Sequence, residues 1–313
     1  MRILLASPRG FCAGVNMAIE SLERAIDRFG TPIFVYHEIV HNRWVVERFR
    51  QKGVVFVDNL IEVPQGAHLL YSAHGVSPEV RREAERRGLH TIDATCPLVT
   101  KVHTEARRYA EAGHAIVLIG HRGHDEVVGV MGEAPEAIRL VGCMADVDRL
   151  DVPDPERLVY LTQTTLSIDE GKRIVERLKA RFPKIVRPKN QDVCYATQNR
   201  QQAVKQLASE VDFALVVGSQ NSSNSRRLAE LCEAAGVVTR LVDGPADIDA
   251  GWFGGRETVL ITAGASAPED VVQACVELLR EHFEAPVESR DFGAEEVRFV
   301  LPRELRDRPT VLE

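Results

Sequence analysis

Short runs of β-branched and aliphatic residues alternate along the whole chain with longer, charge-rich segments whose apolar positions recur at helical spacing. Buried strands followed by amphipathic helices are the pattern of βα units, so the chain is expected to be an α/β protein built on parallel sheets. Setting the strand runs side by side exposes a repeat. IFVYHEIVHN (33–42), AIVLIGHRGHDE (115–126) and FALVVGSQNSSNS (213–225) each pass from an apolar run into a polar loop. A second run with an acidic turn follows each of them: VVFVDNLIEV (54–63), IRLVGCMADVD (138–148) and TRLVDGPADID (239–249). A third comes next, ending in small or hydroxylic residues before a helix: HLLYSAHGVSPEV (68–80), LVYLTQTTLSIDE (158–170) and TVLITAGASAPED (258–270). Recurrence near 90 residues means repeated domains and not a solenoid.

A fourth segment carries the chemistry. HTIDATCPLVTKV (90–102), KNQDVCYATQNRQ (189–201) and the chain's own start, RILLASPRGFCAG (2–14), each deliver one cysteine at a turn into a helix. The N-terminal strand then closes the third module. The expected division is 13–97, 98–193 and 1–12 with 194–283, followed by a tail from 284 to 313 that matches none of these patterns and reads as an extended, partly mobile packing appendage.

On this reading Cys12, Cys96 and Cys194 are equivalent and meet on a pseudo-threefold axis. Helix N-termini favour thiolates, so depressed thiol pKa values and metal ligation are expected there. Three thiols beside space for a substrate suit an iron–sulfur cluster with one open iron; a Cys₃His zinc site is the competing reading, and ligands so far apart in sequence do not decide between them. Cys143, in a second-strand turn, and Cys232 and Cys275, in helical stretches, are expected to be core fillers.

The presumed strand ends also carry His41 and Asn42, His74, His124 and Glu126, Thr164 and Thr165, Ser222 to Asn224, and Ser266. Ligands of α/β sheets bind beyond the carboxyl ends of the strands, and hydroxyls, amides and histidines gathered there suit phosphate oxygens. His37 to His41 spells H-E-x-x-H, but that zinc motif requires a helix, and here it continues from a strand-like run with no cap before it. His121, His124 and Glu126 read as a substrate loop more readily than as a metal cluster, because glycine separates the histidines.

Composition narrows the partners. Among 313 residues, 46 acidic against 39 basic side chains give a net charge of −7, which leaves no broad cationic surface for nucleic acid. Apolar residues make up 44%, enough for several buried cores. The start MRILLASPRG lacks the h-region of a signal peptide, and no run approaches the roughly 18 apolar residues of a membrane span. A cytoplasmic protein, monomer or weak homodimer, with reduced cysteines is therefore expected. No G-x-G-x-x-G follows a strand, so no dinucleotide is expected to bind.

RGFCAGV, HEIVHN, SAHGVSP, DATCPLV, GHRGHDEVVG, TQTTLS, CYATQNRQ, VGSQNSSNS and TAGASAP, in order from residue 9 to 268, together resemble the LytB family. The resemblance implies a trefoil of three pseudo-symmetric α/β modules, each with a small, mostly parallel sheet, around a central [4Fe-4S] cluster. It implies ligation by Cys12, Cys96 and Cys194 with one iron open, and a diphosphate held by His41, His74, Ser222, Ser223, Asn224 and Ser266. His124 would lie near both diphosphate and proton path, and Glu126 would feed protons through Thr164. The implied reaction is the two-electron reductive dehydroxylation of 4-hydroxy-3-methylbut-2-enyl diphosphate, an allylic diphosphate, to isopentenyl and dimethylallyl diphosphate. Its electrons would come from a ferredoxin or flavodoxin. A zinc hydrolase using the HEIVH histidines and a non-catalytic iron–sulfur redox sensor are the alternatives.

Overall fold

The structure is a computed structural model that describes residues 1–188 and 191–306. Strand β1 (Arg2–Ser7) opens the chain and leads into α1 (Ala13–Phe29). Then follow β2 (Ile33–Tyr36), α2 (Arg43–Gln51), β3 (Val54–Val57), β4 (His68–Tyr71), α3 (Pro78–Arg86) and β5 (His90–Asp93). The next stretch holds α4 (Pro97–Glu111), β6 (Ala115–Ile119), α5 (Asp125–Met131), β7 (Ile138–Val141), α6 (Met144–Arg149), β8 (Leu158–Thr162) and α7 (Ile168–Arg181). The last comprises α8 (Tyr195–Leu207), β9 (Phe213–Val217), α9 (Ser223–Ala234), β10 (Val238–Val242), β11 (Thr258–Ala263), α10 (Glu269–Phe283) and β12 (Val287–Asp291).

The strands form three separate sheets, ordered β3-β2-β4-β5, β7-β6-β8 and β10-β9-β11-β1-β12, and every named pairing is parallel. Each sheet repeats one plan: the first strand of the unit lies centrally, with the second on one side and the third on the other. The N-terminal strand joins the third sheet, where Leu4 pairs with Leu260. Helices cover both faces. Ile3 and Leu5 enter one core with Val259 and Ile261, while Leu4 and Ala6 enter another with Val216 and Leu260. Burial on both faces is why these strands read as unbroken apolar runs. Each such valine, leucine or isoleucine side chain contributes about 1.5 to 3 kcal/mol.

Two expectations are corrected, for the tail and for Cys143. Among the described residues the middle sheet holds three strands. Residues 189 and 190 lie outside the described residues, and beside β8 only an isolated bridge forms, at Val186. The tail packs as expected, with Leu305, 4% exposed, in the core of the first sheet beside α1, but it is not merely extended: β12 pairs with β1 in the third sheet. Its alternating charges, VESRD, suit an edge strand that buries little. Residues 307–313 of that tail lie outside the described residues. Finally, Cys232 and Cys275 are buried core residues, but Cys143 is exposed, because it occupies the N-cap of the short surface helix α6. No helix among the described residues is long and apolar enough to cross a membrane.

Candidate active site

The three cysteines occupy equivalent positions. Cys12, Cys96 and Cys194 are the N-cap residues of α1, α4 and α8. Each donates its backbone N–H to the loop that follows the third strand of a sheet: Cys12 to Ala265 O at 3.2 Å, Cys96 to Ala73 O at 3.0 Å, Cys194 to Thr164 O at 3.0 Å. The same bond made three times is the local mark of the repeat. It also places each thiol one residue from a candidate substrate contact, since Ser266, His74 and Thr165 directly follow those carbonyls.

All three thiols line one pocket together with His41, His74, His124, Glu126, Thr164, Ser222, Ser223, Asn224 and Ser266, around about 660 Å³ of free space including its mouth. Gly14 lies between two of the sulfurs: a Cβ there would stand 2.6 Å from Cys96 Sγ and 3.9 Å from Cys12 Sγ. Burial, and secondarily the neighbouring Cys12, pushes the Cys96 thiol up to about 12 and the Cys194 thiol up to about 11. Desolvation thus outweighs the expected depression by helix N-termini. Three sulfurs converging at helix N-termini, with a cradle that only glycine leaves open, fit a soft metal group held on one side and facing the pocket on the other.

Opposite the thiols the polar rim is tightly bonded. The rings of His41 and His74 stack at 4.0 Å, and His124 meets both edge-on at 5.3 and 5.7 Å. His124 caps α5, its Nδ1 accepting from Glu126 N at 3.2 Å, which leaves Nε2 as the protonated nitrogen of the neutral ring. Burial and the charge of His41 push His124 down to about 4. Ser222 caps α9, accepting from Ser225 N, and Ser266 donates to His41 O at 2.9 Å. Ser223 Oγ lies 3.0 Å from Thr165 Oγ1, and Asn224 Oδ1 accepts from Ala265 N at 2.8 Å. Ser225 itself fits only because residues 218 and 264 are glycine; a Cβ on either would stand 2.1 or 2.0 Å from its Oγ.

Glu126 is 2% exposed and accepts from Thr164 N at 2.7 Å and Thr164 Oγ1 at 2.8 Å. Burial pushes its pKa up to about 7, so the carboxyl is half protonated near neutrality and already bonded to a hydroxyl that reaches the pocket.

Every residue to which the resemblance assigns a role therefore lines one space. Asn42 and His121 do not: Asn42 is buried as the cap of α2, and the His121 N–H is held by Gln163 Oε1. The HEIVH segment is a loop of bends, with His37 at φ 58°, so it has no helix to present a zinc pair. Asp125, which joins His37 Nδ1 at 2.8 Å, is the residue the sequence reading passed over. Its one available signal was an ionisable side chain set between His124 and Glu126.

Fold and pocket together define an α/β protein of three repeated units around a pocket lined by three thiols and a rim of histidines and hydroxyls. The chain belongs to the LytB family: the profile described as LytB protein matches residues 3–280. This membership implies an iron–sulfur cofactor. Among curated relatives, a 4-hydroxy-3-methylbut-2-enyl diphosphate reductase of Rhodopirellula baltica is 59% identical over 98% of this chain and 96% of its own length. Another, from Azoarcus sp., is 54% identical over 97% and 98%. The solved structure of the E-1-hydroxy-2-methyl-but-2-enyl-4-diphosphate reductase from Plasmodium falciparum superposes with a TM-score of 0.94 at 39% identity, covering 97% of this chain and 96% of that one.

Proposed function

We propose that the chain reduces 4-hydroxy-3-methylbut-2-enyl diphosphate to isopentenyl and dimethylallyl diphosphate at a [4Fe-4S] cluster held by Cys12, Cys96 and Cys194, with one iron left open. The observation that carries this reading is the convergence, in one pocket, of three equivalent thiols with the protonatable Glu126–Thr164 pair. When bound, the cluster would supply single electrons and a Lewis-acidic iron facing the substrate.

The chain's own groups do the rest. His41, His74, Ser222, Ser223, Asn224 and Ser266 hold the diphosphate with ring N–H, hydroxyl and amide donors, and α9 directs its N-terminal N–H groups to the same place. That anchoring turns the allylic end toward the thiols and excludes water from a pocket lined also by Val15, Val40 and Val99. Removing hydroxide from carbon is slow unless the leaving oxygen gains a proton. Glu126 holds such a proton near neutrality and passes it through Thr164 Oγ1, with His124 beside the path. The balance is one C–O bond broken, one C–H bond formed, two electrons taken up and two protons consumed, with water released. The electrons come from an external carrier, a ferredoxin or flavodoxin. The protein works in the cytoplasm as a monomer or weak homodimer.

Anaerobically purified protein is assayed for iron, sulfide and visible absorption, and then titrated with the allylic diphosphate. Brown protein whose spectrum shifts on titration, and which turns over with a reduced donor, is the expected result. A colourless zinc protein, or a cluster indifferent to the substrate, overturns the proposal.

A further inference from the structure

Asp125 has no role in the reaction described above and does not line the pocket, but it lies beside two histidines that do. It is the first residue of α5, between the cap His124 and Glu126. Its Oδ1 meets His37 Nδ1 at 2.8 Å, while Oδ2 faces His41 Nε2 at 3.7 Å and His74 Nδ1 at 4.0 Å. Ligand atoms of His41, His74 and Asp125 all lie within 4.8 Å of one another. Two loops of the first sheet, after β2 and after β4, thus converge on one carboxylate carried by the second. Other titratable groups around this cluster are Glu38, whose Oε2 is 3.2 Å from His41 Nδ1, Tyr36 and His124 beside Asp125, Asp58 near His37, and Glu126, turned away to Thr164.

The charge is expensive to ignore. Burial works against an ionised Asp125, but the bond from His37 and the nearby His74 and His41 hold it down at about 2, so it is a carboxylate at any working pH. Burial and mutual repulsion push His74 well down and His124 to about 4, and in both Asp125 is the group that acts in the opposite direction. His37 is raised, first by its bond to Asp125.

We propose that Asp125 is a positioning residue for diphosphate binding: its carboxylate, anchored by His37, aligns the His41 and His74 rings and favours proton uptake by His74 as the anion enters. The inference rests on the reading that this pocket takes a diphosphate. It runs against the simple expectation that a carboxylate beside a diphosphate repels it, and that opposition of sign makes it testable.

Cluster-loaded protein is titrated calorimetrically with inorganic diphosphate at pH 7 and pH 8, in two buffers of different ionisation enthalpy, so that proton uptake is read along with affinity. For Asp125→Asn the dissociation constant rises about tenfold, the value of one lost charge-assisted contact. Its proton uptake differs from that of the wild type, and Asp125→Glu recovers part of both. His37→Gln leaves the carboxylate facing His41 and His74, so it weakens binding less than threefold, and it serves as the reporter should Asp125→Asn fail to load its cluster. Unchanged or tighter binding by Asp125→Asn overturns the proposal, because the carboxylate then only repels. Equal losses in Asp125→Asn and His37→Gln overturn it too, because Asp125 is then merely the structural partner of His37. Wild-type protein that binds no diphosphate refutes the reading of the pocket itself, a result distinct from either.

Discussion

Arg200 and Glu295 form a bidentate ion pair inside the protein, the guanidinium fully buried, with Nη1 2.9 Å from Oε1 and Nη2 3.2 Å from Oε2. Arg200 also donates to Gly10 O at 2.7 Å and to Ala196 O at 3.0 Å. Gly10 lies two residues before Cys12 and Ala196 two after Cys194, so one side chain ties together the backbones that present two of the three thiols. The carboxylate that neutralises it comes from the C-terminal segment, and Asn199 Nδ2 donates to that carboxylate as well.

Removing one partner of a buried pair strands the other charge and costs about 3 to 5 kcal/mol. Glu295→Gln keeps the shape and one acceptor but loses the charge, so a cost near the lower end, about 3 kcal/mol, is expected in denaturant unfolding of the cluster-free protein. Because both cysteine segments lean on Arg200, the variant also loses iron faster under a chelator. A variant with wild-type stability and iron retention would show the pair to be incidental.

The same segment fastens the first and third sheets. Leu305 sits in the core beside α1, and Glu304 O accepts from Arg28 Nη1 at 2.9 Å. Leu305→Ala should cost about 2 to 3 kcal/mol through lost transfer energy and the cavity left behind. A cost below 0.5 kcal/mol, measured by denaturant titration, would mean that the tail does not hold the first sheet.

Glu126 gives the pH dependence. Its folded pKa, about 7, lies above the ordinary carboxyl value of 4.5, so the folded protein binds a proton that the unfolded chain gives up. Its contribution to stability is therefore present below pH 4.5 and is lost as pH rises from there through 7. Turnover that needs the protonated form should likewise decline above pH 7. Glu126→Gln should keep the cluster, lower kcat at least about 100-fold, and flatten that segment of the stability profile. Unchanged kcat would remove Glu126 from the proton path.

How much of this the chain discloses follows from which side chains meet close neighbours in sequence. Strands buried on both faces, such as Phe213–Val217, announce themselves as apolar runs, and the repeat by itself makes the three cysteines equivalent. β12 was hidden because an edge strand paired on one side can be VESRD. Cys143 caps a short surface helix, whereas Cys232 lies on the buried face of α9, and only the second setting shields the thiol. Asp125 was invisible because its partners His37, His41 and His74 arrive from a different sheet.

Gly14 offers a test that separates the thiol cradle from the fold. It is the second residue of α1, where alanine is ordinarily favoured over glycine by up to about 1 kcal/mol. Its φ is not in the left-handed region, so the backbone alone tolerates a side chain. The obstacle is Cys96, whose Sγ would stand 2.6 Å from the new carbon and whose Cβ would stand 3.2 Å away. The methyl group therefore displaces one sulfur from its two counterparts while leaving the helix intact. Gly14→Ala should fold with the wild-type circular dichroism spectrum and, free of metal, unfold at a similar denaturant concentration, yet bind less than half the wild-type iron after anaerobic reconstitution. Full iron content with an unchanged spectrum would show that the sulfurs do not converge on the space beside Gly14.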